Sequence, residues 1–140
     1  MSTLPRPVDH AGLEVLTLAE CVALLEEGYV GRLAFVDRGE PAILPVNYRT
    51  HHGSIVFRTA IGSKLDAAAV GRPAAFEVDG IDETYHSGWS VLLKGRLVEV
   101  DDASEVAALE TLRLRPWAAA VERPYWVRLV PTEISGRRIP

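Results

Sequence analysis

Apolar residues recur at helical spacing soon after the start of the chain. Thr17 and Glu20 have the spacing of a capping box, in which two side chains satisfy free amides at the start of a helix. Apolar side chains then follow three or four residues apart, at Leu18, Val22, Leu25 and Tyr29. The pattern predicts a first helix here, with Gly28 as its left-handed C-cap.

Two further short helices are predicted. One runs from Ser63 to Val70 and is ended by Gly71 and Pro73, since glycine and proline punctuate helix ends. The other starts near Asp102 and stops before Pro116. Neither is long enough to form the crossover of a doubly wound parallel sheet.

Most of the remaining pattern is typical of β-strands. Six strands are predicted, over Gly31–Asp37, Ala42–Thr50, Ser54–Ala60, Ala74–Val78, Trp89–Val100 and Trp126–Ser135. The short connections Arg38–Glu40 and His51–Gly53 suit antiparallel hairpins. An antiparallel sheet of this size has to close or cover its edges. The chain is therefore predicted to be mainly β, a six-stranded antiparallel barrel with short helices.

Composition narrows the classes of function. The 140 residues fit one domain, 1–140, in which residues 1–12 form a loose tail. The net charge of −4 disfavours a general nucleic-acid or anionic-membrane surface. Cys21 is the single cysteine, and no stretch approaches a signal peptide or a membrane span. We expect a cytoplasmic protein.

The most informative segment for chemistry runs from Phe57 to Lys64. It leaves a strand, turns at Gly62 and opens a helix, whose free amides and dipole attract a phosphate. Two cations and two hydroxyls accompany it: Arg58, Lys64, Thr59 and Ser63. The spacing differs from a P-loop. An alternative is that Ser63 merely caps the helix while both cations are solvated.

The other candidate groups of residues are interpreted as having structural rather than catalytic or metal-binding roles. The four histidines show no helical metal-ligand spacing, and the pair His51–His52 is interpreted as a solvated turn, so no metal is predicted. The segment around Ser90 lacks the second glycine of a nucleophile elbow, and no histidine follows His86 to act as its base. The three tryptophans are expected to fill core or interface volume, and the alternative is an aromatic ring beside a flat cofactor.

Four segments, in order, resemble the pyridoxamine 5'-phosphate oxidase-like, flavin-binding split-barrel superfamily, and most closely its small bacterial branch. Phe57–Lys64 is similar to the family's phosphate segment, and Gly71–Phe76 to the turn and strand that follow it. Trp89–Glu99 and Arg128–Ile134 are similar to two later strands. The resemblance covers residues 17–135.

This resemblance implies a split barrel that forms a homodimer, with two FMN molecules at the subunit interface. It assigns the FMN phosphate to Thr59, Ser63 and Lys64, with Arg58 beside them. The backbone of the segment Pro45, Val46, Asn47 and Tyr48 would run along the isoalloxazine ring. Ser90 stands where the family often has a flavin-contacting Gln, and Trp89 precedes it.

Three functional hypotheses follow. The first is an FMN-dependent oxidoreductase that reduces a small organic acceptor, where the flavin carries the electrons and no side-chain nucleophile is needed. The second is a binding module that holds a flavin or a deazaflavin without turnover. The third is a barrel that has lost its cofactor. The chain ends after Pro140 without the family's Arg-x-His, so oxidation of pyridoxamine phosphate itself is not expected.

Overall fold

The structure, a computed structural model, describes residues 6–60, 62, 66, 70–115 and 125–140. Over these ranges the helices are α1 (Leu18–Glu27) and α2 (Ala103–Glu110). The strands are β1 (Glu14–Val15), β2 (Val30–Asp37), β3 (Glu40–Asn47), β4 (Arg49–His51), β5 (Ser54–Thr59), β6 (Pro73–Asp82), β7 (Ser87–Val100) and β8 (Tyr125–Arg138). The prediction of a mainly β, antiparallel protein is confirmed.

The strand order explains why the sheet curls. The strands pair in the order β3-β2-β6-β7-β8-β5-β4, and β1 pairs with β8; every pairing is antiparallel. The two strands at the ends of this order, β3 and β4, are joined by the single residue Tyr48. Both ends of the sheet must therefore come together at Tyr48, so the sheet wraps around one core.

The predicted count of six strands was too low for the described residues. The predicted strand Ala42–Thr50 is two strands, because β3 pairs with β2 whereas β4 pairs with β5. Tyr48 sits at the change of partner, where its amide donates to the Tyr29 carbonyl at 3.0 Å. Periodicity alone does not reveal such a change, since the apolar alternation continues through it. The short β1 adds the eighth strand.

Both predicted hairpin turns are present. Arg38 and Gly39 join β2 to β3 with φ of 53° and 80°, and His52 and Gly53 join β4 to β5 with φ of 49° and 77°. Two successive residues with positive φ match the twist of the flanking strands, which is why such turns suit two-residue hairpins.

Helix α1 begins as predicted and ends differently. The Glu20 amide donates to Thr17 Oγ1 at 3.2 Å, and the Thr17 amide donates to Glu20 Oε1 at 3.0 Å, which confirms the capping box. The predicted left-handed cap is wrong, because Gly28 has φ −76°. Of the residues on this helix, Cys21 and Leu25 face the core, whereas Leu18 is 62% exposed.

Helix α2 confirms the third predicted helix and covers the outer face of the sheet. The Asp102 side chain caps it by accepting from the Glu105 amide at 3.0 Å. A second apolar cluster lies beneath it, formed by Val56, Val100, Leu109, Leu114 and Trp126. The Trp126 Nε1 donates to Glu110 Oε1 at 3.0 Å, which ties the helix to β8.

A β-bulge interrupts the alternation of side chains along β8. Lys94 pairs with Glu133 while Gly95 pairs with Pro131, so Thr132 is an extra residue on β8. The extra residue shifts which β8 side chains face the core, from Val127 and Leu129 to Ile134.

The remaining predictions concern the loops and termini. The predicted helix Ser63–Val70 lies largely outside the described residues, although the Asp66 amide donates to the Gly62 carbonyl at 3.0 Å. Residues 6–12, from the predicted tail, contact the sheet: Arg137 Nε donates to Asp9 Oδ2 at 2.9 Å. In the described part of the chain, no helix has the length and apolar character needed to cross a membrane.

Candidate functional site

Arg58 is held on the outer face of the sheet, near the end of β5. Strand alternation directs Phe57 into the core and Arg58 outward. The Arg58 guanidinium lies 5.7 Å from the centroid of the Trp126 ring, a cation–π distance. Its Nη1 also donates to the Leu114 carbonyl at 3.4 Å. The positive charge is therefore positioned on a rigid aromatic surface.

Asn47 approaches the same stretch of chain from β3. Its Nδ2 donates to the Arg115 carbonyl at 2.9 Å and to the Tyr29 hydroxyl at 3.3 Å. Since residues 114 and 115 are consecutive, the Asn47 amide and the Arg58 guanidinium hydrogen-bond to neighbouring residues of one segment. Asn47 is buried, and its Oδ1 has no hydrogen-bond partner among the described residues. A buried acceptor without a donor is costly, so a ligand that donates to it would be favoured.

Thr59 points the other way from Arg58. Its side chain is 3% exposed, and its Oγ1 donates to the Ala60 carbonyl at 3.2 Å. The hydroxyl has to rotate before it can donate to a phosphate. The other two predicted phosphate ligands, Ser63 and Lys64, lie outside the described residues.

The residues predicted to run along a flavin ring differ in burial. Val46 and Tyr48 are buried in the main core, while Pro45 is exposed. The Tyr48 hydroxyl donates to the Leu25 carbonyl at 2.6 Å, and burial raises the pKa of Tyr48 to about 12. Val46 and Tyr48 can therefore offer a ligand only their backbone, whereas Asn47 can offer its side chain.

Trp89 and Ser90 belong to a different part of the surface. Ser90 pairs with Asp79 on β6. Asn47 pairs with Val30 on β2, the strand next to β6. Ser90 and Asn47 are thus three strands apart, about 14 Å along the sheet.

Two adjoining cavities flank Trp89, of about 350 and 280 Å³. Their described lining includes Asp79, Arg137 and Arg138 but neither Arg58 nor Asn47. Within the described residues, Trp89 and Ser90 therefore line a pocket separate from Arg58 and Asn47.

Sequence reasoning missed the two carbonyls of Leu114 and Arg115 and the role of Trp126. Main-chain carbonyls carry no sequence signature. Trp126 is buried, as expected for a residue that fills core volume, and it also supports Arg58. A tryptophan and an arginine on paired strands, at Trp126 and Arg58, would be a usable signal once the β5–β8 register is known.

Comparison with known families decides the relationship. The model of the family described as pyridoxamine 5'-phosphate oxidase matches residues 17–138. The chain belongs to this family.

Individual relatives agree with the family assignment. An uncharacterised protein of Mycobacterium tuberculosis, Rv0080, is 33% identical over 125 residues, which cover 86% of this chain and 81% of that protein. A solved structure from Corynebacterium glutamicum, named as a candidate pyridoxamine 5'-phosphate oxidase, is 31% identical with a TM-score of 0.78, covering 91% of this chain and 98% of that one. A structure named as the FAD binding protein from Mycobacterium smegmatis is 32% identical with a TM-score of 0.71, covering 90% and 99%.

Proposed function

We propose that this protein is a cytoplasmic flavoprotein that binds FMN and reduces a small organic acceptor. One observation carries the proposal: Arg58 and Asn47 donate hydrogen bonds to the consecutive carbonyls of residues 114 and 115. Arg58 itself belongs to the segment that resembles the family's phosphate site. Membership of the pyridoxamine 5'-phosphate oxidase family and a relative named as FAD-binding support a flavin.

The described residues fit a flavin phosphate and ring. Arg58 supplies a cation of fixed position on Trp126, which suits an anionic phosphate. The unpaired Oδ1 of Asn47 is an acceptor for an N–H donor, and a flavin ring carries an N–H group. In this proposal Arg58, Thr59, Ser63 and Lys64 hold the phosphate end. The outer edge of β3, from Pro45 to Tyr48, lies along the ring.

The site is completed by a second copy of the chain. Trp89 and Ser90 lie about 14 Å along the sheet from Asn47, so in one subunit they line other cavities. A two-fold homodimer lets the Trp89–Ser90 strand of one subunit cover the Arg58 site of the other, twice by symmetry.

The protein's part in the reaction is positioning. A bound flavin supplies the electron or hydride transfer. Arg58 and its neighbours anchor the phosphate, Asn47 orients the ring, and Trp89 of the partner excludes water above it. None of these roles requires a side-chain nucleophile.

Titration with FMN and riboflavin tests the phosphate site. FMN should bind more tightly than riboflavin, because the assigned ligands address the phosphate. Lys64→Ala and Arg58→Gln should each weaken FMN binding by about 1–3 kcal/mol, the contribution of one charge-assisted hydrogen bond. Neither should change riboflavin binding to the same extent.

Arg96→Gln provides the charge-matched control, since Arg96 is exposed on β7 and donates to the Gly71 carbonyl. Equal affinities for FMN and riboflavin would remove the phosphate role of residues 58–64. Reduction of the bound flavin by a nicotinamide cofactor separates the two remaining hypotheses. Bleaching at a useful rate supports the reductase, and its absence favours a binding module.

A further inference from the structure

A separate cavity of about 370 Å³ lies between α1 and the β4–β5 hairpin. Its wall is largely apolar and includes Val22, Leu25, Ile55, Leu93 and Ile134. Leu25, Ile55 and Leu93 belong to the main core, so this part of the wall is rigid. The volume lies within the range of about 300–1,000 Å³ that small-molecule sites occupy. None of the predicted flavin contacts that the structure describes lines it.

The charged group at this cavity and the nearby helix end are both negative. Among its described lining residues Glu26 is the carboxylate, and no lysine or arginine accompanies it. Glu26 lies in the last turn of α1, where the free carbonyls form the negative end of the helix dipole. Both features favour a cation at the mouth of the cavity.

The His51–His52 pair, interpreted from sequence as a solvated turn, also lines this cavity. The two rings stack with centroids 4.0 Å apart and planes 14° apart. Burial lowers the pKa of His51, and His52 and Arg128 lower it further while Glu105 raises it. The buried Nδ1 of His51 has no hydrogen-bond partner among the described residues.

The character of the lining points to an organic ligand. The described residues contain no group of three or more His, Cys, Asp and Glu side chains placed to hold a metal ion. An apolar wall with a carboxylate at its edge suits a molecule that is apolar at one end and positively charged at the other.

We propose that this cavity is a second ligand site, which binds a small primary amine with an apolar or aromatic body. The apolar body packs against Val22 and Ile134, the apolar lining residues that are not fully buried. The ammonium group lies at the mouth beside Glu26. The site is independent of the flavin, so it can hold a substrate-like or regulatory amine whether or not the proposed function is correct.

Phenethylamine is the probe, and 2-phenylethanol is its uncharged match. Both are titrated into the full chain as purified, while amide chemical shifts are followed by NMR. Saturable chemical-shift changes should appear in Val22–Glu26 and His51–Ile55. Phenethylamine should bind more tightly than 2-phenylethanol. Glu26→Gln should weaken amine binding about two- to fivefold, the value of a partly exposed ion pair, and leave the alcohol unchanged. Glu27→Gln, an exposed change on the same helix, should alter neither.

Val22→Trp tests the cavity by filling it from an exposed position outside the core, and it should abolish binding of both probes. Leu18→Trp, on an exposed part of α1 that does not line the cavity, is the control. No saturable shift at these residues, or binding that survives Val22→Trp, would overturn the proposal. The proposal would also be overturned if the wild type bound neither probe and Val22→Trp changed the oligomeric state. The cavity would then be a contact between copies of the chain.

Discussion

At the scale of single residues, two glycines lie where a side chain would clash with a neighbouring aromatic residue. A Cβ on Gly28 would lie 2.0 Å from the Tyr48 hydroxyl, and a Cβ on Gly31 would lie 2.1 Å from Phe76 Cζ. Tyr48 and Phe76 pack edge to face, with centroids 5.0 Å apart. These contacts fix Tyr48, the residue at which the sheet changes partner. Gly28 is therefore needed for packing rather than for a positive φ.

Gly28→Ala should destabilise the fold by about 1–3 kcal/mol, the usual cost of inserting a methyl group into a packed core. Denaturant unfolding measures the change. Tyr48→Phe removes the hydroxyl that would clash, so the double variant should lose less stability than the sum of the two single changes. Strict additivity of the two changes would show that the hydroxyl is not what excludes a side chain at position 28.

At the scale of elements, the start of α1 is tied to the N-terminal segment by charge. Arg6 Nη1 donates to Glu20 Oε1 at 2.6 Å, and Glu20 also accepts from the Thr17 amide. The hydrogen bond from Arg6, followed by that from Thr17, lowers the pKa of Glu20 to about 2 from its ordinary value of 4.5. One carboxylate therefore serves both the capping box and the ion pair.

The depressed pKa of Glu20 predicts a pH dependence of stability. A carboxyl whose pKa is lower in the folded chain stabilises the fold above its unfolded value, and this contribution is lost as the pH falls. For Glu20 the loss falls between about pH 4.5 and about pH 2. Glu20→Gln should flatten the slope of unfolding free energy against pH in that window. Glu27→Gln, an exposed change on the same helix, is the control for the loss of a carboxylate; if the two variants behave alike, the ion pair contributes nothing.

The elements were predictable where local chemistry determines them. The Thr17–Glu20 box, the Asp102 cap and both glycine turns carry their own side-chain signals, so sequence located them. The division at Tyr48 and the bulge at Thr132 depend on which strands become neighbours. The family resemblance predicts that Arg58 and Asn47 lie near a ligand. Their convergence on residues 114–115 is tertiary, so it could not be predicted from sequence.

At the scale of the whole molecule, the proposed site depends on two subunits. Arg58 and Trp89 occupy different regions of one chain, and the proposal joins them across a dimer axis. In this arrangement each site takes Arg58 from one subunit and Trp89 from the other. A site contained in one chain would take both residues from the same subunit.

Mixing two defective variants tests that arrangement. Arg58→Gln and Trp89→Leu should each weaken FMN binding when expressed alone. A heterodimer of the two variants has one site with both defects and one site with neither, so co-expression should restore tight binding to about half of the sites in heterodimers. If each site were contained in one chain, every site would keep one defect and no tight binding would return.

The most direct test of the flavin proposal is the visible absorption spectrum of the freshly purified protein, followed by mass identification of the released cofactor. We expect the absorption bands of an oxidised flavin and a released mass equal to that of FMN. A colourless protein that takes up neither FMN nor FAD when either is added would contradict the proposal.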